Sequence, residues 1–580
     1  MKLKLLASLI FLTQGIQAQQ NIIRIDQEGY YPDAPKFAIL VISPGKSTDS
    51  SEKEKAFYLT GENGRDTVFR GILSGIKQSA NSSLQTRVAD FSSYRYTGTY
   101  RVRIGEYTSY PFLIKVKVHR PVALASLKAF YFIRASTPLD PVYAGKWSRA
   151  AGHPDDSVII HPSAASEYRR AGSTISTPGG WYDAGDYNKY IVNSGISMGT
   201  LLSAYEDFKP YFDTLHTHIP SLRKPIPDIL NEIVYNLRWM LSMQDPGDGG
   251  VYNKCTNAKF DTMEMPAEGR APRYVVQKGT AATLDFAAVT AQSARIFSRY
   301  KKELPGLADS CARAAERAWN WALSHPNIVY NQNMMNQQFE PKITTGGYGD
   351  WKFSDEWFWA ACELFITTGG KNYRDSLLAH RNLKLTLPSW SETGLLGYYT
   401  LLRNNGKNHL PVKEDSNFLH LKKMADDYVL ASAGNAFLTV MGGRKSDFIW
   451  GSNANAANQA ILLIQVYRVT HDRKYLDAAL GNLDYLLGRN ATGYCFVTGC
   501  GSFATRHPHH RPSVADGIDD PVPGLLAGGP NPGMQDRTPY DFHEPETAYS
   551  DADPAYASNE IAINWNAPLV YLANALEALY

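Results

Sequence analysis

Two carboxylates three residues apart, Asp183 and Asp186, lie between glycines and aromatics in the stretch GGWYDAGDYNKY, Gly179 to Tyr190. Acids at this spacing in a turn are ordinarily solvated and merely repel each other. A surround of Trp181, Tyr182, Tyr187 and Tyr190 is an unusual setting for such a pair. The pair alone does not decide between a solvated turn and a chemical role. A third acid, Glu560, stands far downstream in YSDADPAYASNEIAINWNAP, with Asp551 and Asp553 shortly before it. Ser558 or Asn559 is expected to cap the last helix, which puts Glu560 in its first turn. There the helix dipole lowers the pKa of a carboxyl, while the apolar area of Tyr556, Ile561 and Trp565 raises it.

Histidines cluster in RHPHHRPS: Arg506, His507, Pro508, His509, His510 and Arg511. Three histidines in four residues raise a metal reading. Arg506 and Arg511 repel a cation and Pro508 stiffens the spacing, so the cluster reads better as groups that hydrogen-bond hydroxyl oxygens. No CxxC pair and no HExxH motif supports a zinc site.

These residues must be positioned by a chain that changes texture once. From Ile22 to about Arg120, short alternating runs such as KFAILVI, KAFYLTG and GTYRVRIG are separated by turn residues. This predicts a β-sandwich of immunoglobulin-like size at 19–120, with no acid pair or histidine cluster of its own. Beyond VHRPVALASLKAFYFIRAS the period becomes helical and stays so. In DILNEIVYNLRWMLSMQD, positions 229, 230, 233, 234, 237, 240 and 241 form one apolar face. About a dozen such helices fill 121–580. Long loops join them, the longest running from Gly488 to about Ser558, and loops of that length are usually functional.

The three motifs, in this order, resemble those of glycoside hydrolase family 9, endoglucanases built on an all-α (α/α)6 toroid. The sandwich beginning IRIDQEGYYPDAPK resembles the immunoglobulin-like module that precedes the toroid in one branch of that family. The likeness runs from about Ile22 to Tyr580. It agrees at Tyr549, Asp551, Tyr556, Glu560, Ala562, Asn566 and Ala567, and at Thr498, Gly501, Pro508, His509 and Arg511. It departs at Cys495 and Phe503, which bears on subsite detail. The resemblance implies that Glu560 protonates the leaving oxygen, Asp186 activates water and Asp183 helps to hold that water. It also implies inversion of configuration, with the two carboxyls about 6.5–9.5 Å apart. His509, Arg511 and Asp551 match positions lining the cleft. Tyr348 and Trp351 in GGYGDWKFSDEW, and Tyr556, are candidates for sugar contact. Asp355 and Glu356 match a place where some members hold structural calcium, with helix capping as the plain alternative. No cofactor is required for the chemistry.

The substrate class so implied is a β-glucan poly- or oligosaccharide: cellulose, xyloglucan or mixed-linkage glucan. An exo-acting, β-glucosidase-like enzyme is the nearest rival. A non-catalytic glycan-binding protein is the more distant one, since it has no use for three acids together. The 580 residues carry a net charge of only +3, too little to argue for nucleic acid or an anionic membrane. Lys2 and Lys4, the apolar run to Leu12 and small residues to Ala18 read as a cleavable export signal, 1–18, without a lipobox cysteine. A secreted or periplasmic monomer without a transmembrane segment is expected. Of five cysteines, Cys311 and Cys362 fall on apolar helical faces. Cys495 and Cys500 are close enough to bridge across a turn, though spacing alone does not fix their geometry.

Overall fold

The computed structural model describes residues 21–42, 56–222, 224–380, 382–405 and 416–580; the signal-like segment lies outside them. Ten strands form the N-terminal module: β1 (Ile23–Arg24), β2 (Gly29–Tyr30), β3 (Phe37–Ile42), β4 (Ala56–Gly61), β5 (Thr67–Ile72), β6 (Lys77–Gln78), β7 (Gln85–Asp90), β8 (Gly98–Ile104), β9 (Tyr107–Thr108) and β10 (Phe112–Ile114). They make two sheets, in the orders β1-β3-β7-β6 and β2-β10-β8-β4-β5, with β9 also paired to β8. β3 shows why its sequence is apolar without alternation. Ala38 and Leu40 enter the sandwich core. Ile39 and Val41, on the opposite face, pack against Ala436, Phe437 and Ala491 of the helical domain. A strand buried on both faces cannot alternate.

Further contacts fix the module to the helices. Tyr31 stacks on Tyr580 with ring centroids 4.4 Å apart and donates to Glu577 Oε1 at 2.7 Å. Asp26 meets His119 Nε2 at 2.9 Å, and both lie beside Asp484. Residues 19–120 thus contribute Asp26 and His119 to a buried acid–histidine cluster that Asp484 of the helical domain completes.

Among the described residues, twelve helices have nine residues or more: α1 (Arg120–Phe132), α2 (Ile191–Asp207), α3 (Asp228–Ser242), α4 (Thr280–Phe297), α5 (Leu307–Ser324), α6 (Ser354–Thr368), α7 (Lys371–Ala379), α8 (Gly394–Arg403), α9 (Ser416–Gly434), α10 (Ser452–Thr470), α11 (Arg473–Leu486) and α12 (Ile563–Leu579). Their burial differs widely. In α2 every residue from Ile191 to Tyr205 is buried, and α4, α8 and α10 are similarly enclosed. By contrast α5 buries one stripe, including Cys311, Ala315, Ala318, Trp319 and Ala322, and α9 only Phe418, Leu421 and Ala425. A stripe marks a helix with one wet side; all-round burial marks an inner one.

The inner helices are tied together toward their C-terminal halves. Arg295 on α4 pairs with Glu206 of α2 at 2.9 Å and Glu363 of α6 at 2.8 Å. Arg403 on α8 pairs with Asp207 of α2 at 2.8 Å. Asp207 also meets Arg468 of α10 and accepts from Tyr571 of α12 at 2.7 Å. All six even-numbered helices enter this one network.

A small third sheet, not expected from the sequence, lies among the loops: β11 (Val158–Ile160), β12 (Thr174–Ile175), β13 (Lys189–Tyr190), β14 (Lys254–Asn257) and β15 (Arg273–Val275), in the order β12-β11-β15-β14-β13. Its strands of two to four residues are too short to show a period. β13 runs directly into α2 and so anchors the chain leaving Asp186.

Candidate active site

The motifs meet through a braid of backbone contacts at the N-terminal ends of α2 and α12. Ala184 pairs with Ala562, His509 with Glu560 and Ala527 with Ile561. Ile563 N–H donates to the Asp183 carbonyl at 2.8 Å, Gly528 N–H to the Glu560 carbonyl at 2.8 Å, and Arg511 N–H to the Gly185 carbonyl at 3.2 Å. Gly185 is required by this crossing: a Cβ there would lie 2.2 Å from the His509 carbonyl oxygen. That is why DAGD carries a glycine between its acids.

The braid corrects the expected position of Glu560. It does not sit in the first turn of the last helix. It follows a four-residue helix, Tyr556–Asn559, in extended backbone at φ −65°, ψ 157°, and α12 begins only at Ile563 with Ala562 as its N-cap. The dipole effect expected from a first-turn position therefore loses its basis. Burial first, then the charges of Asp186 and Asp183, push the Glu560 carboxyl up to about 8.

Asp183 and Asp186 are both buried, 1% and 5% exposed. Asp183 is held on both oxygens: Asn193 Nδ2 donates to Oδ1 at 2.5 Å and Tyr348 OH to Oδ2 at 2.7 Å. Burial and the neighbouring Asp186 raise its proton affinity. Asp186 is held differently. Among the described residues, its side-chain donors, Asn188 Nδ2 at 2.5 Å and Tyr190 OH at 3.3 Å, both reach Oδ2.

The remaining candidates divide by what they touch. His509 Nδ1 contacts the Asp553 carbonyl at 2.6 Å, so the proton belongs on Nδ1 and Nε2 is left as an acceptor. Burial lowers its pKa. Arg511 donates from its guanidinium to the carbonyls of Gly185 (2.7 Å), Asp261 (2.9 and 3.0 Å) and Thr262 (3.1 Å), clamping two loops together. Asp551 accepts from the backbone N–H of Arg506 and His507, each at 2.9 Å, and thereby shapes the histidine loop. Tyr348 has edge-on contacts with Tyr190 and Trp390. Trp351 is 66% exposed. Tyr556 is partly exposed, with its ring 5.6 Å from Trp450 and likewise from His509. Cys495 and Cys500 are buried free thiols.

A second group of acids lies at the start of α6. Asp285, Asp350, Asp355 and Glu356 are buried. Both carboxylate oxygens of Asp285 and of Glu356, and Oδ2 of Asp350, have no hydrogen-bond partner. Burial and mutual repulsion raise the proton affinity of Asp285 and Glu356. Orphaned oxygens of this kind fit a hard cation, which takes oxygen ligands.

Asn188, Tyr190 and Asn193 were legible in position but not in role, because uncharged residues inside a motif give no chemical signal on their own. Lys254, discussed below, lies far from the motif in sequence and carried no signal.

With this geometry in view, comparison with known proteins is direct. Residues 120–573 match the model of glycosyl hydrolase family 9, and residues 18–109 match the cellulase N-terminal ig-like domain. A xyloglucan-specific endo-beta-1,4-glucanase of Bacteroides ovatus is 44% identical over 562 residues, covering 96% of this chain and 94% of that protein. Endoglucanase D of Acetivibrio thermocellus is 32% identical over 569 residues, covering 97% and 84%. The solved structure of a Bacteroides ovatus family 9 protein superposes with a TM-score of 0.90 at 43% identity, over 96% of this chain and 99% of that one. The chain therefore belongs to glycosyl hydrolase family 9, as an immunoglobulin-like domain followed by a helical glycoside hydrolase domain.

Proposed function

We propose that the protein is an exported endo-β-1,4-glucanase that inverts configuration in a single displacement, with xyloglucan its first candidate substrate. The substrate rests on the 44% identity to a xyloglucan-specific relative. Glu560 is the acid that protonates the leaving oxygen and Asp186 the base. Asp183, fixed by Asn193 and Tyr348, helps hold the attacking water. The observation that carries this reading is the one-sided hold on Asp186: donors occupy Oδ2 and leave Oδ1 for water. Glu560, brought to the same braid of backbone contacts, has its carboxyl pushed up to about 8 by burial and by the charges of Asp186 and Asp183, as a general acid needs.

The other residues fall into place around these. His509 offers Nε2 to a sugar hydroxyl, and Arg511 and Asp551 hold the loops that carry the acids. Trp351 and Tyr556 are the sugar platforms, while Tyr348 works chiefly on Asp183. One polar network that joins every second long helix, α2 to α12, supports an (α/α)6 toroid for residues 121–580, after the module at 19–120. The unpartnered oxygens of Asp285, Asp350 and Glu356 are offset by protons or by a structural calcium, which would supply stability and no chemistry.

Glu560→Gln tests the acid. Turnover on xyloglucan should fall by roughly 10²–10⁴, with partial recovery on an aryl glycoside whose leaving group needs no protonation. Equal loss on both substrates would remove Glu560 from that role.

A further inference from the structure

Lys254, on β14, is fully buried near the candidate acids, and it hydrogen-bonds none of them. Its ammonium is fully enclosed and donates to Gln332 Oε1 at 2.6 Å, Thr345 Oγ1 at 3.0 Å and the Gly346 carbonyl at 2.6 Å. All three protons are used; burial, opposed by the charges of Asp186 and Asp183, brings the ammonium down to about 7, so it is charged on the acid side of neutrality.

Two routes lead from it to the same oxygen of Asp186. In the first, Thr345 Oγ1 lies 2.6 Å from Thr256 Oγ1. Thr256 Oγ1 donates to Asn188 Oδ1 at 2.9 Å, and Asn188 Nδ2 donates to Asp186 Oδ2 at 2.5 Å. Because Lys254 has only protons to give, the ammonium donates to Thr345 and Thr345 to Thr256, whose one proton reaches both Asn188 Oδ1 and the Asn257 carbonyl at 2.9 Å. The Asn257 N–H, 2.8 Å from Asn188 Oδ1, fixes the same orientation of the amide. The NH₂ of Asn188 is thereby forced toward the carboxylate. In the second route, the ammonium lies over the Tyr190 ring, 5.3 Å from its centroid. The Tyr190 hydroxyl accepts from Gly346 N–H at 3.0 Å and donates to Asp186 Oδ2 at 3.3 Å.

We propose that Lys254 is a positioning residue for the base. Its buried ammonium orients Asn188 and Tyr190 onto Oδ2 of Asp186 and places a cation behind that carboxylate without contacting it. The inference rests on the reading of Asp186 as the base. The charged and titratable groups around the ammonium agree with it. Asp183 and Asp186, on the segment entering β13, are the acids that act on it, opposing the effect of burial. Tyr190 and Tyr330 present ring faces. His161, after β11, is held toward its neutral form by burial and, in lesser part, by Lys254 itself. A direct lysine–carboxylate bond would cancel the carboxylate's charge; a cation separated from it by two hydroxyls and an amide polarises without neutralising.

The test is the pH profile of kcat/KM on xyloglucan for Lys254→Gln and Lys254→Met, with Lys254→Arg as the charge-keeping control. Gln retains a donor and loses the charge. In both neutral variants the acidic limb, where Asp186 must lose its proton, should move up by about one pH unit, because the cation that favours ionisation is gone. At the optimum kcat should fall about tenfold with KM little changed, and Lys254→Arg should keep the wild-type limb. An unmoved limb in folded Lys254→Gln overturns the inference. If the neutral variants do not fold, Thr256→Val decides. It cuts the relay and leaves the charge, and should lower kcat at constant KM; wild-type kcat there rejects the relay. Asp186→Ala run alongside separates the two readings: an active Asp186→Ala fails the base assignment itself, whereas an inactive one with an unmoved Lys254→Gln limb fails this inference alone.

Discussion

Helix α2 carries buried acids near both ends, and they are treated in opposite ways. Before its N-terminus, Asp183 and Asp186 are held by amides and phenols, and no guanidinium touches either among the described residues. At its C-terminus, Glu206 and Asp207 lie against Arg295, Arg403 and Arg468. Burial works to raise the proton affinity at both ends. At the far end the arginines win, and Glu206 and Asp207 are held well below the usual carboxylate range. At the near end nothing opposes burial as strongly, and the carboxyls of Asp183 and Glu560 rise. Depth is therefore not what makes an acid reactive. The difference is whether its partner fixes its position only or also cancels its charge. An acid locked to arginine is structural; one oriented by neutral donors keeps a proton affinity near the working pH.

The sharpest way to break this contrast is to delete the acid with one bare oxygen. Asp186→Ala should lose roughly 10²–10⁴ or more in kcat. Azide should restore part of the rate by occupying the vacated space and attacking the sugar directly, giving a glycosyl azide of inverted configuration. A retained product, or a covalent sugar adduct on Asp186, would make it a nucleophile instead of a base.

The opposite end should answer in stability and not in turnover. Arg403→Met leaves Asp207 with less compensation in a buried setting, which should cost about 3 kcal/mol in denaturant unfolding at neutral pH, while kcat of the folded enzyme stays near wild type. The pH dependence has a definite sign. The pKa of Asp207 is depressed in the folded state, so its contribution is present above the unfolded value of about 3.9 and is lost as pH falls below it. The gap between wild type and Arg403→Met should hold from neutral pH down to about 4 and narrow below. A variant that keeps its stability but loses turnover would tie the ionic network to catalysis and erase the contrast.

How much of this was readable in the chain follows from the kind of signal each residue gives. The acids of GGWYDAGDYNKY stood out because charge among aromatics is rare, and the helical domain because its period repeats. Glu560 was found but misplaced. Capping preference is local and selected Ser558 or Asn559, whereas the actual N-cap is Ala562 in extended backbone at φ −152°, ψ 151°. Pairing with His509, Ala527 and Ala184 holds Glu560 to Ala562 extended, and no local rule sees those partners. Arg511 looked like a sugar ligand because its type suits one; its carbonyl partners near Gly185 and Asp261 come from distant loops. The third sheet was invisible for want of length, and with it Lys254.

The smallest expected effect concerns the acids at the start of α6, which resemble neither end of α2. Asp285 and Glu356 have neither arginines nor neutral donors on their oxygens, so something else must offset their charge: protons or a cation. The two give different outcomes. If protons do, Glu356 is a neutral acid, Glu356→Gln is nearly isosteric, and neither chelator nor calcium changes Tm. If calcium does, EDTA should lower Tm and added calcium restore it. At a hundredfold excess over Kd the stabilisation is about 2.7 kcal/mol, a shift of some degrees in a domain of this size. In that case Glu356→Gln should unfold at the temperature of the chelated wild type and should not respond to calcium, because an amide has lost the charge that a hard cation requires. Turnover measured below both transitions should be the same with and without calcium, since none of these acids is among the hydrogen-bond partners of Asp183 or Asp186 in the described residues. A Tm indifferent to EDTA and calcium, with Glu356→Gln as stable as wild type, would assign the cluster to protons.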